Sequence, residues 1–320
     1  MRKILDRCTV PAEATGRFAG ARHAAPERAR QLHETLATFL RAAAAGTLPV
    51  HVPAEPESAV ARGAGHFHLA AELFLQVAGW TRFRFPHGEL HLAAGEAAVL
   101  PPRLLHDEDV GRDATGAPFS NVVIYAEGAA LTCHLAHEAE ARRPGILHLE
   151  SSQHPQAARI QQWLGDAALL GRPGSAAAPD AWASTQARAL VAAATSGVLR
   201  VLGEADPQVP HEPALVARTR VLVNNQLGDP DLSVRGLAKQ AGCTADYLSH
   251  VFRQTTGEAL AAFIVRQRMQ RAAHLLAQSK LAGKEVAWAC GFATQSYFVR
   301  SFREHHGLTP QAWRAARAVA

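Results

Sequence analysis

The strongest constraint on how this chain can fold is a repeat in its last third. Ala238 and Gly242 recur as Ala287 and Gly291 at an offset of 49 residues. Leu248, Phe252, Arg253 and Gly257 recur as Phe298, Phe302, Arg303 and Gly307 at an offset of 50. Each copy reads as a short helix with a small residue, a glycine turn, and a second helix with apolar positions four apart, closed by a basic residue and a glycine. Glycine supplies the left-handed backbone of the turn, and the small alanine lets the two helices cross closely. Two such copies in register specify a pair of helix-turn-helix units. Between them, EALAAFIVRQRMQRAAHLL (258–276) contains no Gly or Pro and places Leu260, Phe263, Ile264, Met269, Ala272, Ala273 and Leu276 at near-helical spacing. A continuous rod of that length is about 30 Å long. One turn of DNA is about 34 Å, so the rod suits two reading helices in successive major grooves.

Charge follows the same division. From Ala214 onward the chain carries 14 Lys/Arg against 6 Asp/Glu, whereas the preceding 213 residues carry 19 against 22. A basic third joined to a mildly acidic remainder suggests a polyanion-binding module attached to a unit of different purpose. A chain of 320 residues predicts two domains. With 48% hydrophobic and 19% charged residues it is not a mainly disordered chain. No apolar run reaches the roughly 18 residues that cross a bilayer, and MRKILDRCTVPAEATGR lacks a signal-peptide core. A cytoplasmic, nucleoid-associated protein without membrane contact is expected. Cys8, Cys133, Cys243 and Cys290 form no CxxC pair and read as reduced, mostly buried thiols.

Residues 1–25 read as a loose N-terminal arm. Residues 26–150 read as a helix plus a sensor barrel. The helix starts at Pro26, buries Leu32, Leu36, Phe39 and Leu40, and stops at Gly46. Short apolar runs between His66 and Tyr125, broken by Gly, Pro and Asp about every ten residues, predict several antiparallel strands, and ILHLE (146–150) one more. Residues 151–202 predict two helices, 155–170 and 180–202. The second carries a stripe of Trp182, Ala189, Leu190, Ala193, Ala194, Val198 and Leu199 and is a candidate dimerisation region. A linker is expected at 203–213, which holds three prolines, and the tandem helix-turn-helix domain at 214–320.

The stretches LSVRGLAKQAGCTADYLSHVFRQTTG, RQRMQRAAHLL and VAWACGFATQSYFVRSFREHHGLTPQAWR resemble the DNA-binding region of AraC-type transcription regulators. That resemblance covers roughly the last 100 residues. It implies that the helices beginning near Thr244 and Thr294 read base edges. On their outer faces lie Ala245, Asp246, Ser249 and His250 in the first copy, and Gln295, Ser296, Val299 and Arg300 in the second. Arg300 suits guanine and Gln295 suits adenine by bidentate hydrogen bonding, whereas Asp246 equally fits a charge favoured by the helix dipole. Arg253, Arg303, Lys239 and Arg266 are candidates to neutralise phosphate. Tyr247, Tyr297, Trp288 and Trp313 are expected to pack within the domain.

In the acidic two-thirds, His66, His68, Glu72 and Gly79, then Gly95, Pro101 and His106, resemble the two motifs of cupins, although Arg103 stands where a glycine is usual and Val110 replaces a common asparagine. Alternation places His66 and His68 on one face, and Glu72 and His106 complete a three-histidine, one-carboxylate set suited to a divalent metal or to hydrogen-bonding a ligand. His87 and His91 read as turn or surface residues, and the spacing of His134, His137 and His148 marks no site. No nucleotide-phosphate loop, nucleophile elbow or catalytic triad is evident. The expected fold is therefore multi-domain: an N-terminal cupin-like all-β barrel with flanking helices, and a C-terminal all-α domain of two helix-turn-helix motifs joined by a long helix. The expected function is a sequence-specific, non-enzymatic transcription regulator, an activator controlled by a small-molecule effector in the barrel. Its partners would be double-stranded DNA, RNA polymerase and a second copy of the chain. Two alternatives are a metal-dependent cupin enzyme with an appended helical domain and a metal-responsive regulator.

Overall fold

A computed structural model describes residues 12–54, 65–86, 88–171, 181–204 and 212–317. Its first helix, α1 (Ala12–Ala44), begins at Ala12 rather than at Pro26. Alanine-rich sequence from 12 to 25 favours helix strongly enough to extend the element through Pro26, although a proline inside a helix removes one ladder hydrogen bond. The remainder of the expected arm, 1–11, lies outside the described residues.

Among the described residues nine strands follow: β1 (Val50–His51), β2 (Glu72–Ala78), β3 (Trp80–Phe85), β4 (Gly88–Ala93), β5 (Ala97–Leu100), β6 (Asp107–Gly111), β7 (Ser120–Glu127), β8 (Ala130–Glu140) and β9 (Arg143–Gln153). They form a six-stranded sheet in the order β1-β5-β2-β7-β8-β9 and a three-stranded sheet in the order β4-β3-β6. Period-2 alternation sorts the larger sheet into two faces. Leu73, Leu75, Val99, Val122, Ile124, Leu131, Cys133 and Leu135 enter one core with α1, α2 (Gln156–Leu169) and α3 (Ala181–Gly203). Phe74, Ala98, Leu100 and Val123 point the other way, against Phe83 and Leu92 of the smaller sheet. Gly79 makes the β2–β3 turn at φ +63°, and a Cβ there would lie 2.4 Å from the Gly111 carbonyl oxygen.

The stripe on α3 is shifted from the expected one. Ala187, Val191, Ala194, Val198 and Val201 are buried, while Ala189 is exposed and Trp182 is 79% exposed. Small side chains on α3, with Gly197 against Ile160 and Trp163, let it lie close on α2, and that contact selects the buried face. The stripe thus belongs to the core of the N-terminal half. Most of the expected linker, residues 205–211, lies outside the described residues.

The C-terminal half is all helix: α4 (Ala214–Gln226), α5 (Val234–Ala241), α6 (Ala245–Thr256), α7 (Leu260–Gln278), α8 (Gly283–Ala289), α9 (Gln295–His306) and α10 (Pro310–Arg317). Two cores straddle α7. One gathers Val223, Leu237, Leu248, Phe252 and Phe263. The other gathers Met269, Leu276, Val286, Phe298 and Phe302, and it also takes in Phe67 and Leu105 from the N-terminal half.

The inner face of the large sheet also carries His134, half-buried, where desolvation holds its imidazole down to about 4 with help from the Arg218 guanidinium. Below about pH 6.5 the unfolded chain protonates this residue while the folded chain refuses the proton until about pH 4. Its contribution to stability is therefore present at neutral pH and declines as pH falls through that window. Urea unfolding should show wild type losing stability relative to His134→Gln between about pH 7 and about pH 4.5. A stability difference that stays constant with pH would contradict this assignment.

Candidate nucleic-acid interface and buried histidine cluster

The second helices of both helix-turn-helix copies are built with the same caps. Ser233 opens α5 by accepting from the Gly236 amide, and Gly242 closes it at φ 71°. Thr244 caps α6 and Thr294 caps α9, each hydroxyl accepting from the amide three residues on, Tyr247 or Tyr297, at 3.3 Å. Gly257 and Gly307 end those helices at φ 74°. Hydroxyl caps of this kind stabilise a helix start by about 1 kcal/mol. The change of offset from 49 to 50 falls in the turn, where the second copy has one more residue. The first copy runs Gly242-Cys243-Thr244 and the second Gly291-Phe292-Ala293-Thr294, with Phe292 buried beside Phe298.

These caps fix which faces of α6 and α9 are turned in. Leu248 and Phe252, and Phe298 and Phe302, are fully buried. Asp246, His250 and Arg253 of α6, and Gln295, Ser296, Arg300 and Arg303 of α9, are exposed, while Ala245, Ser249 and Val299 are half-buried. Val299 packs against the second core, so its side chain is partly committed. Tyr247 and Tyr297 depart from the expectation of packing inside the domain, being 55% and 50% exposed. As the third residue after each cap they are carried round to the open side of the helix. The Arg300 guanidinium lies 5.4 Å from the centroid of the Tyr297 ring. Arg266 is already engaged, paired with Glu258 at 2.9 Å and lying over Phe263. Lys239 is exposed, and Trp313 is half-buried against Phe302 and His306.

Four of the residues singled out in the acidic part come together, and a fifth joins them. His66 and His106 form an isolated antiparallel bridge, with ring centroids 4.5 Å apart. The His68 ring lies 5.0 Å from that of His66. Glu72, first residue of β2, places one carboxylate oxygen 3.4 Å from His68 Nε2 and the other 3.9 Å from His106 Nε2. The fifth residue is Glu108 on β6, 3.9 Å from His106 Nε2; it follows His106 by two residues, the spacing that strand alternation places on one face. His106 Nδ1 donates to the Leu104 carbonyl at 2.9 Å, leaving Nε2 as a bare lone pair. The Nε2 atoms of His68 and His106 are buried without a hydrogen-bond partner. Burial holds His66 and His68 well below the usual imidazole range and His106 at about 4. Burial likewise lifts Glu72 well above the carboxylate range and Glu108 to about 7. Three neutral imidazoles and two carboxyls reluctant to ionise thus share one enclosure.

Arg103, standing where a glycine is usual in the resembling motif, adopts φ 65° and donates its amide to the His68 carbonyl. Next to the cluster a cavity of about 610 Å³ opens between the sheet and the helical half. His68, Glu72 and His134 line it on one side, and Arg220, Asn224 and Gln267 on the other. His91 is exposed at the surface, within strand β4 rather than in a turn, and His87 lies outside the described residues.

Comparison with known proteins bears on the helical half. The family described as "Helix-turn-helix domain" matches residues 237–316. The Msm operon regulatory protein of Streptococcus mutans is 29% identical over 101 residues, covering 32% of this chain and 36% of that protein. The HTH-type transcriptional activator RhaR of Escherichia coli O1:K1 is 33% identical over 75 residues, 23% of this chain and 27% of that protein. A solved structure, the C-terminal domain of AraT, a response regulator from Geobacillus stearothermophilus, is 28% identical, with a TM-score of 0.33, covering 34% of this chain and 89% of that one. The chain spans about a third of the length of the curated relatives it matches. With two units in register on either side of one long helix, the second helix of each opened by a threonine and closed by a glycine, the C-terminal third of this chain is a tandem helix-turn-helix domain.

Proposed function

We propose that the chain is a sequence-specific regulator of transcription that binds double-stranded DNA through α6 and α9, acting as an activator under the control of a ligand bound by its N-terminal half. The observation that carries this reading is the pair of capped helices, each with its apolar side sealed and a polar, largely exposed side left open, set in the basic third of the chain. A helix of 19 residues spans about 28 Å and holds the two units apart by a distance suited to successive grooves. Arg300 and Gln295 are the foremost base readers, with Ser296, Val299, Ala245, Asp246, Ser249 and His250 around them, and Arg253 and Arg303 meet phosphate. Exposed Tyr247 and Tyr297 join that surface.

The ligand site would lie where His66, His68, Glu72 and His106 meet, beside the interdomain cavity. A ligand there can act on DNA binding only through its differential affinity for two arrangements of the halves. Exposed Trp182 on α3 marks the side on which a second copy would pair, and contact with RNA polymerase would complete activation in the cytoplasm. The regulator reading is preferred to a metal-dependent enzyme because the matched relatives are named as regulators.

The test starts from a duplex selected from random sequence by the full chain. Arg300→Ala should lose roughly 1–3 kcal/mol on that duplex and relax one base preference, whereas Arg303→Ala should weaken all sequences alike. Equal losses on selected and random DNA for Arg300→Ala would remove it from the readers. Raising salt should weaken binding with a log–log slope of about −0.9 per phosphate neutralised, and Arg303→Ala should reduce that slope by about one. A salt-independent affinity would contradict phosphate contact by this face.

A further inference from the structure

Four arginines meet two aspartates where β3, β6 and the β8–β9 hairpin come together. Arg82 and Arg84 share one face of β3, and Phe83 between them points the other way and is fully buried. Strand register sets Arg82 opposite Asp109 and Arg84 opposite Asp107 of β6. Arg142 and Arg143 arrive from the hairpin, which is tied to β6 by a hydrogen bond from the Val110 amide to the Arg142 carbonyl. Asp109 accepts from Nη2 of Arg82 and from Nε and Nη2 of Arg142. Asp107 accepts from Arg84 Nη2 at 2.9 Å and from Arg143 Nη1 at 3.2 Å.

The two aspartates hold these guanidiniums without exhausting them. Each guanidinium has five N–H donors, and the described hydrogen bonds use one of Arg82, one of Arg84, one of Arg143 and two of Arg142. Arg82 Nε is buried with no hydrogen-bond partner. Arg84, Arg142 and Arg143 are 46%, 58% and 63% exposed, so their remaining donors are open to a ligand. Arg82, Arg84, Glu108, Asp109, Arg142 and Arg143 line a cavity of about 320 Å³. Glu108 places a carboxylate oxygen 3.9 Å from His106 Nε2, and even with that carboxyl ionised the guanidiniums outnumber the carboxylates. Arg142 also stands at φ 62°, a backbone conformation that side chains other than glycine rarely adopt. Strain of this kind at a residue whose side chain reaches a cavity points to a role for that side chain.

We propose that this cavity binds the phosphate group of a small phosphate monoester, with Arg84, Arg142 and Arg143 as its contacts and Asp107 and Asp109 as positioning residues that hold the guanidiniums in place. A carboxylate offers two oxygens in one plane, and two guanidiniums satisfy it, as Asp107 and Asp109 show here. A phosphate monoester offers three terminal oxygens in three directions, which suits planar forks converging from a strand and from a hairpin. A cavity of this volume lies at the lower end of those that take a whole small molecule, so it has room for an organic body beside the phosphate. Occupancy bridges the hairpin to β3 and stabilises the folded chain by mass action. The site rests on its own residues and not on the duplex reading above.

The experiment titrates the full chain by calorimetry with inorganic phosphate and with glycerol phosphate at constant ionic strength, with glycerol and acetate as controls. One phosphate ester per chain is expected, with a dissociation constant below about 1 mM, and acetate should bind at least roughly tenfold more weakly. Arg84→Gln and Arg143→Gln, each verified as folded by circular dichroism, should weaken the ester by roughly tenfold or more. Arg143→Lys, which keeps the charge and loses the fork, should weaken it as well. Glycerol phosphate should raise the melting temperature of the wild type and leave that of the Arg84→Gln/Arg143→Gln double variant unmoved. No saturation by about 10 mM ester, or an affinity unchanged in Arg84→Gln and Arg143→Gln, overturns the site. Acetate bound as tightly as phosphate overturns the ligand class. Loss of duplex affinity in the double variant, with no ester bound by the wild type, assigns these arginines to the DNA backbone and overturns the small-molecule site.

Discussion

Phe67 and Leu105 share a hydrophobic cluster with Met269, Ala272, Phe292 and Phe298, and that shared core makes the two halves one object. A buried phenylalanine contributes roughly 1.5–3 kcal/mol by leaving water. The gain is available only while α7 lies against the histidine loop. Because neighbouring side chains on an extended segment point to opposite sides, burying Phe67 outward commits His66 and His68 inward. The same holds for Leu105 and His106. The contact between halves and the geometry of the histidine cluster are thus set by one backbone path, pinned further by the Arg271 hydrogen bond to the Phe67 carbonyl.

On the far side of α7 the structure solves a different problem. A helix that is to read DNA must be rigid at its start and bare on one side. Thr244 and Thr294 satisfy the first requirement by taking an otherwise unpaired amide, and the buried phenylalanine or leucine pairs meet the second by consuming the opposite face. What is left open is the row containing Arg300, Gln295, His250 and Asp246. Arg300 lying over the Tyr297 ring restricts the guanidinium, which under the proposed function would lower the ordering cost of a bidentate contact with a base.

The helical half was legible because its signals are local. Glycines, caps and apolar residues four apart act within a single turn, so the boundaries of α6, α7 and α9 follow the repeat closely. Tyr247 and Tyr297 escaped the same reading because residue type suggested packing, whereas their position relative to the caps turns them outward. In the other half, strand alternation gave the sheet-rich character and brought His66, His68, Glu72 and His106 together. Glu108 follows His106 by two residues, so strand alternation was enough to place it beside that ring. His134 carried no short-range signal, because it reaches the cavity through the pairing of β8 with β7. The start of α1 was missed for an opposite reason, since Pro26 is a strong local mark that the alanine-rich helix overrode. The docking of Arg271 on Phe67 joins residues 204 apart and has no local signature.

Under the proposed function, two equivalent reading helices on one stiff spacer engage one face of a duplex, and hydroxyl-radical footprinting of the full chain on its selected duplex tests this. Two protected patches centred about one helical turn apart, roughly 10 base pairs, on the same face are the predicted result. A single patch, or two on opposite faces, would contradict the arrangement of α6 and α9 about α7.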